Sequence, residues 1–143
     1  MDSIRFGIVG LGSIGGRHAA VVDATERASV SAACDIEPAR MKPFQEKYPG
    51  VPFYTNYSDF LDKAPVDVVS ICTPHGLHAT MAIEAARHGK HILVEKPMAL
   101  TVHEADAMIR VAQEARVHLM VVKQNRYNTP IALVKKALQE NRL

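Results

Sequence analysis

The residues of this sequence best placed to do chemistry begin with three glycines. Gly10, Gly12 and Gly15 stand in the order G-x-G-x-x-G, directly after the apolar run Ile4-Arg5-Phe6-Gly7-Ile8-Val9. Where a strand turns sharply into a helix, that spacing builds a pyrophosphate cradle. Gly10 permits a turn closed to residues that carry side chains. Gly12 leaves room for a phosphate against the backbone, and Gly15 lets the helix pack close to the strand. Ser13 and Ile14 open the helix, whose first N–H groups lack intrahelical partners and sit at the positive end of its dipole. Asp35 follows Gly12 by 23 residues, near the roughly 20 expected of the acid that accepts from a ribose 2′-hydroxyl. An acid there repels a 2′-phosphate and no arginine directly follows it, so NAD is favoured over NADP, although Arg40 keeps the second cofactor open. Asp35 could also cap a helix beginning around Ile36-Glu37-Pro38, and one side chain can serve both purposes.

Two further polar stretches each end an apolar run. Cys72-Thr73-Pro74-His75-Gly76-Leu77-His78 closes a run that starts at Val66, and Glu95-Lys96-Pro97 follows His91–Val94. In an open parallel sheet, ligands bind beyond the carboxyl ends of the strands. That rule puts Thr73, Pro74 and His78 beside the cofactor; the plainer alternative is an ordinary loop with a capping threonine. Glu95 and Lys96 form a charged pair at the end of a buried strand, which is costly without a partner or ligand. On the surface the same pair is worth little.

Alternating strands and helices must hold these loops. The expected strands are 4–9, 28–34, 51–54, 66–72, 91–94 and 117–122. The expected helices are 13–25, 38–48, 58–63, 77–88, 101–114 and 130–140. The first helix would carry Ile14, Ala19, Val21 and Val22 on its apolar positions. Ser58 is a plausible cap for the third, Gly89 stops the fourth, and Thr101-Val102-His103-Glu104 reads as a capping box. The β-branched, continuously apolar strands are those of a parallel sheet covered on both faces. The fold class is therefore α/β, a doubly wound Rossmann-type parallel sheet of about six strands. His18, His88 and His118 have no evident partner and are expected at the surface or at an edge.

At 143 residues, 48% of them hydrophobic, the chain suffices for one domain with a real core. A net charge of +2 argues neither for nucleic acid nor for a membrane surface. No apolar run approaches the ~20 residues of a membrane span. The chain enters its first strand at once, so no signal peptide is expected. Cys34 and Cys72 read as buried free thiols of a reducing cytoplasm. No Cys or His cluster has metal-ligand spacing.

Together, Gly10-Leu11-Gly12-Ser13-Ile14-Gly15, Asp35, Cys72-Thr73-Pro74 with His78, and Glu95-Lys96-Pro97 resemble the glucose–fructose oxidoreductase/inositol dehydrogenase (Gfo/Idh/MocA) family. The resemblance covers the whole chain and implies an NAD-dependent enzyme. It places Lys96 near the nicotinamide and the substrate carbon, with Glu95, Thr73 and His78 lining the cofactor, and implies a cis Lys96–Pro97 bond. A narrower resemblance, in Glu95 to Leu100 and Val121-Val122-Lys123-Gln124-Asn125-Arg126, is to the UDP-N-acetylglucosaminuronate 3-dehydrogenases of bacterial lipopolysaccharide biosynthesis. It implies a sugar-nucleotide substrate held by Lys96, Lys123, Asn125 and Arg126, the basic residues meeting a uronate carboxylate or a diphosphate. Lys123 and Arg126 could instead form a solvated basic loop. The implied reaction removes hydride from C3 of a hexuronate. Lys96 would either stabilise the developing alkoxide or accept its proton. Family members continue into a second α/β domain that supplies further catalytic residues and oligomer contacts. Nothing here encodes it, so the expectation is a fragment, inactive alone, of a cytoplasmic homo-oligomer (a tetramer). A dehydrogenase of another sugar or polyol, and a non-catalytic NAD-binding module, stay open.

Overall fold

The structure, a computed structural model, describes residues 3–142. Six strands form one sheet: β1 (Ile4–Val9), β2 (Ala28–Cys34), β3 (Phe53–Tyr54), β4 (Val68–Ile71), β5 (His91–Val94) and β6 (Leu119–Val121). Their order is β3-β2-β1-β4-β5-β6, and every pairing is parallel. The helices are α1 (Ser13–Asp23), α2 (Pro38–Lys47), α3 (Tyr57–Lys63), α4 (His78–Arg87), α5 (Val102–Glu114) and α6 (Thr129–Gln139). This is the expected doubly wound α/β architecture.

Alternation along the strands separates two cores. Ile8, Val30 and Ala33 point to one face, where Ala19 and Val22 of α1 and Met41 and Phe44 of α2 cover them. Val9, Val69 and Ile71 point to the other, under Phe60 and Leu61 of α3, four alanines of α4 (Ala79, Ala82, Ala85, Ala86), and Met108 and Val111 of α5. All four residues of β4 are buried, as a central strand requires. Gly7 serves this packing, since a Cβ there would lie 2.4 Å from the tip of the Phe60 ring.

Several boundaries differ from expectation. Ser58 does not cap α3; Asn56 does, its side-chain oxygen accepting from the Asp59 N–H at 3.0 Å. The strand expected at 51–54 keeps only two residues, because a short edge strand has a single neighbour to pair with. Ile14 and Val21 of α1 are exposed, and only Ala19 and Val22 of its four expected apolar positions reach the core. The Thr101 capping box is formed as expected, with Glu104 accepting from the Thr101 N–H at 3.0 Å. Unlike the others, α6 buries none of its residues, and Ile131, Leu133, Val134 and Leu138 are all exposed. Both cysteines are free thiols, and burial pushes each up to about 12.

At the amino edge of the sheet, Arg5 grips Asp67. Its side chain donates to both carboxylate oxygens, at 3.1 and 2.6 Å, and its backbone N–H adds a third bond at 2.9 Å. These bonds hold the Asp67 carboxyl below its ordinary 3.8, at about 2. A carboxyl with a lowered folded-state value stabilises the fold above its ordinary value and loses that contribution as pH falls toward 2. Asp67→Asn is therefore expected to lower the thermal midpoint at neutral pH and to leave it unchanged relative to wild type near pH 2. Melting curves between pH 2 and 7 check this, and a constant difference across the range would contradict it.

Candidate functional site

The parallel register lines up the strand ends. Cys34 pairs with Val9, Val9 with Ile71, Ile71 with Val94, and Val94 with Val121. Backbone bonds carry the row one residue further. The Gly10 N–H donates to Cys34 O at 2.9 Å, Cys72 to Val9 O at 2.8 Å, Glu95 to Ile71 O at 3.1 Å, and Val122 to Val94 O at 2.9 Å. The glycine turn, Asp35, the Thr73 loop, Glu95-Lys96-Pro97 and the Lys123 loop thus leave the sheet side by side.

The glycine turn has the shape a dinucleotide needs. Gly10 has φ +89, and a Cβ there would lie 2.8 Å from the Cys72 carbonyl carbon and oxygen. A Cβ at Gly15 would lie 2.0 Å from Gly10 O, so helix and turn touch backbone to backbone. Gly12 is different: the nearest atom to a Cβ there is an Arg40 guanidinium nitrogen 3.9 Å away. The space over Gly12 is open, and among the described residues α1 has no side-chain cap hydrogen bond and no acid in its first turn. Open space, unspent N–H donors and a helix N-terminus together suit a pyrophosphate. Ser13 and Ile14 lie exposed at this first turn.

Asp35 fastens the turn from below. It is only 7% exposed, and its two oxygens accept from the N–H of Leu11 at 2.7 Å and of Glu37 at 2.9 Å. Glu37, not Asp35, is the N-cap residue of α2, and Pro38 opens that helix. Each carboxylate oxygen keeps a further lone pair. Arg40 lies beside the turn, paired with Glu37 at 2.8 Å.

The Thr73 and Lys96 loops are clamped together. His78 is wholly buried, with Nδ1 2.8 Å from Pro97 O and Nε2 2.9 Å from Thr73 O. Both partners only accept, so the ring makes both bonds at once only with an N–H on each nitrogen. His78 therefore stands behind the loops and holds them, while Thr73 and Pro74 lie at their surface. The Thr73 hydroxyl donates to the Met81 sulfur at 3.5 Å. The Lys96–Pro97 bond is cis, as the resemblance implied. Lys96 itself is exposed, and among the described residues nothing pairs with its ammonium. Lys123, Asn125 and Arg126 are exposed on the neighbouring strand end, in a short 3₁₀ turn (Gln124–Tyr127) and its cap. Asn125 accepts from Asn128 at 3.4 Å, and the two cationic side chains make no ion pair among the described residues.

The histidines set aside from the sequence all find partners. His18 is no edge residue. Its side chain is 13% exposed and bridges Ser70 Oγ, at 2.8 Å, to Glu95 Oε1, at 3.0 Å. His88 lies 3.2 Å from Asp62 and bonds the Glu84 carbonyl at 2.8 Å. His118 packs its ring against His91, whose Nδ1 accepts the His118 backbone N–H at 3.0 Å. Apart from the His88–Glu84 bond, which lies within one helical turn, these contacts join residues far apart in the chain, so spacing could not show them. The one local signal was Ser70, a lone polar residue within Val-Val-Ser-Ile. His18 and Glu95 also border a cavity of about 350 Å³, with Ile14, Val21, Leu93 and Val122.

Comparison with known proteins agrees with this geometry. The family described as "Oxidoreductase family, NAD-binding Rossmann fold" matches residues 4–123. The WlbA dehydrogenase of Bordetella pertussis, solved with NADH and UDP-GlcNAcA, superposes with a TM-score of 0.93 at 38% identity, over 98% of this chain and 43% of that one. Inositol 2-dehydrogenase of Rhizobium meliloti is 33% identical over 99% of this chain and 42% of its own length. A 1-carboxy-3-chloro-3,4-dihydroxycyclohexa-1,5-diene dehydrogenase of Comamonas testosteroni is 32% identical over 97% of this chain and 35% of its own. The chain thus spans about two fifths of the length of such relatives.

The glycines make opposite predictions. Gly12→Val fills open space and is expected to leave the thermal midpoint within about 3 °C while weakening NAD binding at least about tenfold. Gly15→Val drives a side chain into the Gly10 carbonyl and is expected to unfold the domain. Calorimetric melting and NAD titration of both variants check this. Unchanged NAD affinity in Gly12→Val would contradict the cradle.

Proposed function

The chain belongs to the Gfo/Idh/MocA oxidoreductase family as an NAD-binding Rossmann domain, and from that premise we propose that it is the cofactor half of a UDP-N-acetylhexosaminuronate dehydrogenase. The observation that carries this reading is the placement of the unpaired Lys96 ammonium on the same sheet edge as the open glycine cradle. Two more cationic side chains, Lys123 and Arg126, stand one strand further along. The likeness to WlbA, solved with a UDP-sugar acid and NADH, supports an anionic sugar-nucleotide substrate over a neutral polyol.

When bound, NAD supplies a nicotinamide ring that takes up hydride. The chain's own residues do the rest. Gly12, Ser13, Ile14 and Gly15 present backbone N–H groups to the pyrophosphate. Asp35 accepts from the ribose hydroxyls with the lone pairs that Leu11 and Glu37 leave free, and Thr73 and Pro74 flank the nicotinamide half. As the ring carbon loses hydride its hydroxyl must lose a proton, leaving a ketone. Lys96 answers that charge, as an ammonium beside the developing alkoxide or as an amine that takes the proton. Arg126 offers a two-pronged fork to a carboxylate or phosphate, Lys123 a point charge, and Asn125 a hydrogen bond.

More than half of each relative lies outside the matched region. We read that remainder as the second domain that completes the substrate pocket and makes a homo-oligomer. Among the described residues no helix is long and apolar enough to cross a membrane, and two unpaired thiols suit a reducing cytoplasm. An oxidation of a polyol is the second reading, favoured by the inositol 2-dehydrogenase relative.

In the whole enzyme, Lys96→Ala is expected to lower kcat with UDP-N-acetylglucosaminuronate and NAD at least about a hundredfold, with NAD affinity within about threefold of wild type. Equal loss of both makes Lys96 a cofactor ligand instead, and turnover of myo-inositol in place of the UDP-sugar selects the second reading. Asp35→Ala is expected to weaken NAD by about tenfold or more and NADP far less. The ratio of the two affinities is the measurement, because loosening of the turn alone weakens both alike.

A further inference from the structure

His18 joins the two halves of the candidate site. It stands three residues after Gly15 in α1, the helix whose start forms the cradle. Its Nε2 lies 3.0 Å from Glu95 Oε1, and the other Glu95 oxygen accepts the backbone N–H of Lys96 at 3.1 Å. A carboxylate only accepts, so Nε2 carries a proton. On the opposite side Nδ1 lies 2.8 Å from Ser70 Oγ, which can donate to it. Ser70 is wholly buried in β4 between aliphatic neighbours, where a polar side chain is costly unless bonded. The His18 and Glu95 side chains are 13% and 12% exposed, so water screens their contact little. The contact spans 77 residues of sequence, from the glycine helix to the Lys96 loop.

From this line of contacts we infer that His18 is a positioning residue, which holds the Glu95 carboxylate against the Lys96 peptide and so ties the lysine to the helix that cradles the dinucleotide. The inference rests on the reading of Lys96 given above. Ser70 fixes the ring, the ring fixes the carboxylate, and the carboxylate fixes the backbone from which the Lys96 side chain projects. Dinucleotide bound on α1 and the lysine amine then share one rigid frame, as demanded by a substrate that must lose hydride toward one while its hydroxyl faces the other. The groups that face His18 are Ser70 from β4 and Glu95 from the end of β5.

The test compares His18→Ala, His18→Gln and Lys96→Ala in the whole enzyme. It measures turnover of UDP-N-acetylglucosaminuronate with NAD, and the acetylation rate of the Lys96 amine by acetic anhydride, read by peptide mass mapping against Lys63 as internal reference. His18→Ala is expected to lower kcat about tenfold with the KM for NAD within about threefold. It is also expected to change Lys96 acetylation relative to Lys63 by more than about twofold, since the lysine backbone loses its anchor. His18→Gln, whose amide donates to Glu95 and accepts from Ser70, is expected to restore most of both. If His18→Ala does not fold, Ser70→Ala carries the same expectation, because it frees the ring at its other end. Unchanged kcat and unchanged Lys96 acetylation overturn the proposal. So does a loss in His18→Ala that tracks a lower melting point and that His18→Gln leaves unrepaired. Turnover that survives Lys96→Ala overturns the catalytic reading of Lys96 instead; the acetylation arm still decides whether His18 positions that residue.

Discussion

The parallel hydrogen-bond register between β2, β1, β4 and β5 is the constraint from which everything else follows. A parallel ladder permits no hairpin, so each strand must be reached by a crossover, and every carboxyl end emerges on one edge. Because Cys34, Val9, Ile71 and Val94 are level, the next residue of each strand is level too. Gly10, Asp35, Cys72 and Glu95 are therefore neighbours, although as many as 85 residues separate the first from the last. A one-residue slip in any strand would exchange its two faces and pull one loop out of the row.

Apolar contacts hold the sheet together, but polar side chains set the loops at its edge. Asp35 staples the glycine turn to the start of α2, His78 ties the Thr73 loop to Pro97, and His18 ties α1 to Glu95. Each is buried or nearly so, and each spends its hydrogen-bonding atoms on backbone or on another side chain. Among the described residues no buried side-chain nitrogen or oxygen lacks a partner. Bonds of this kind are directional in a way apolar packing is not, so they fix loop positions that burial alone would leave loose. On the outer surface of the same loops, Lys96, Lys123 and Arg126 make no ion pair among the described residues.

Much of this was legible in the chain itself. The bounds of β2 and β5 were legible to the residue, because Asp35 closes the first and Glu95-Lys96-Pro97 ends the apolar Ile92-Leu93-Val94 of the second. The glycine spacing, the capping box at Thr101 and the helix opening at Pro38 are local devices, and local devices can be read locally. Ile14 and Val21 sit on apolar positions of α1 yet lie exposed, because helical periodicity does not say how much of a helix its neighbours cover. Asn56 caps α3 in place of Ser58 because either residue type can cap, and only the backbone path chooses between them.

By itself, then, the sequence determined the class of fold, the tight glycine turn at Gly10 to Gly15, and which loops would meet at the sheet edge, since these depend on residue order and on short-range sterics. Only the tertiary structure decided which side chains hold those loops. The sequence left His18 without a partner and set Asp35 between two duties; in the folded chain one reaches Glu95 and the other spends both oxygens on backbone. The reason is physical. A hydrogen bond between residues distant in sequence depends on the crossing of a helix over a sheet to within a fraction of an ångström, and no pattern of residue types along one chain encodes that distance.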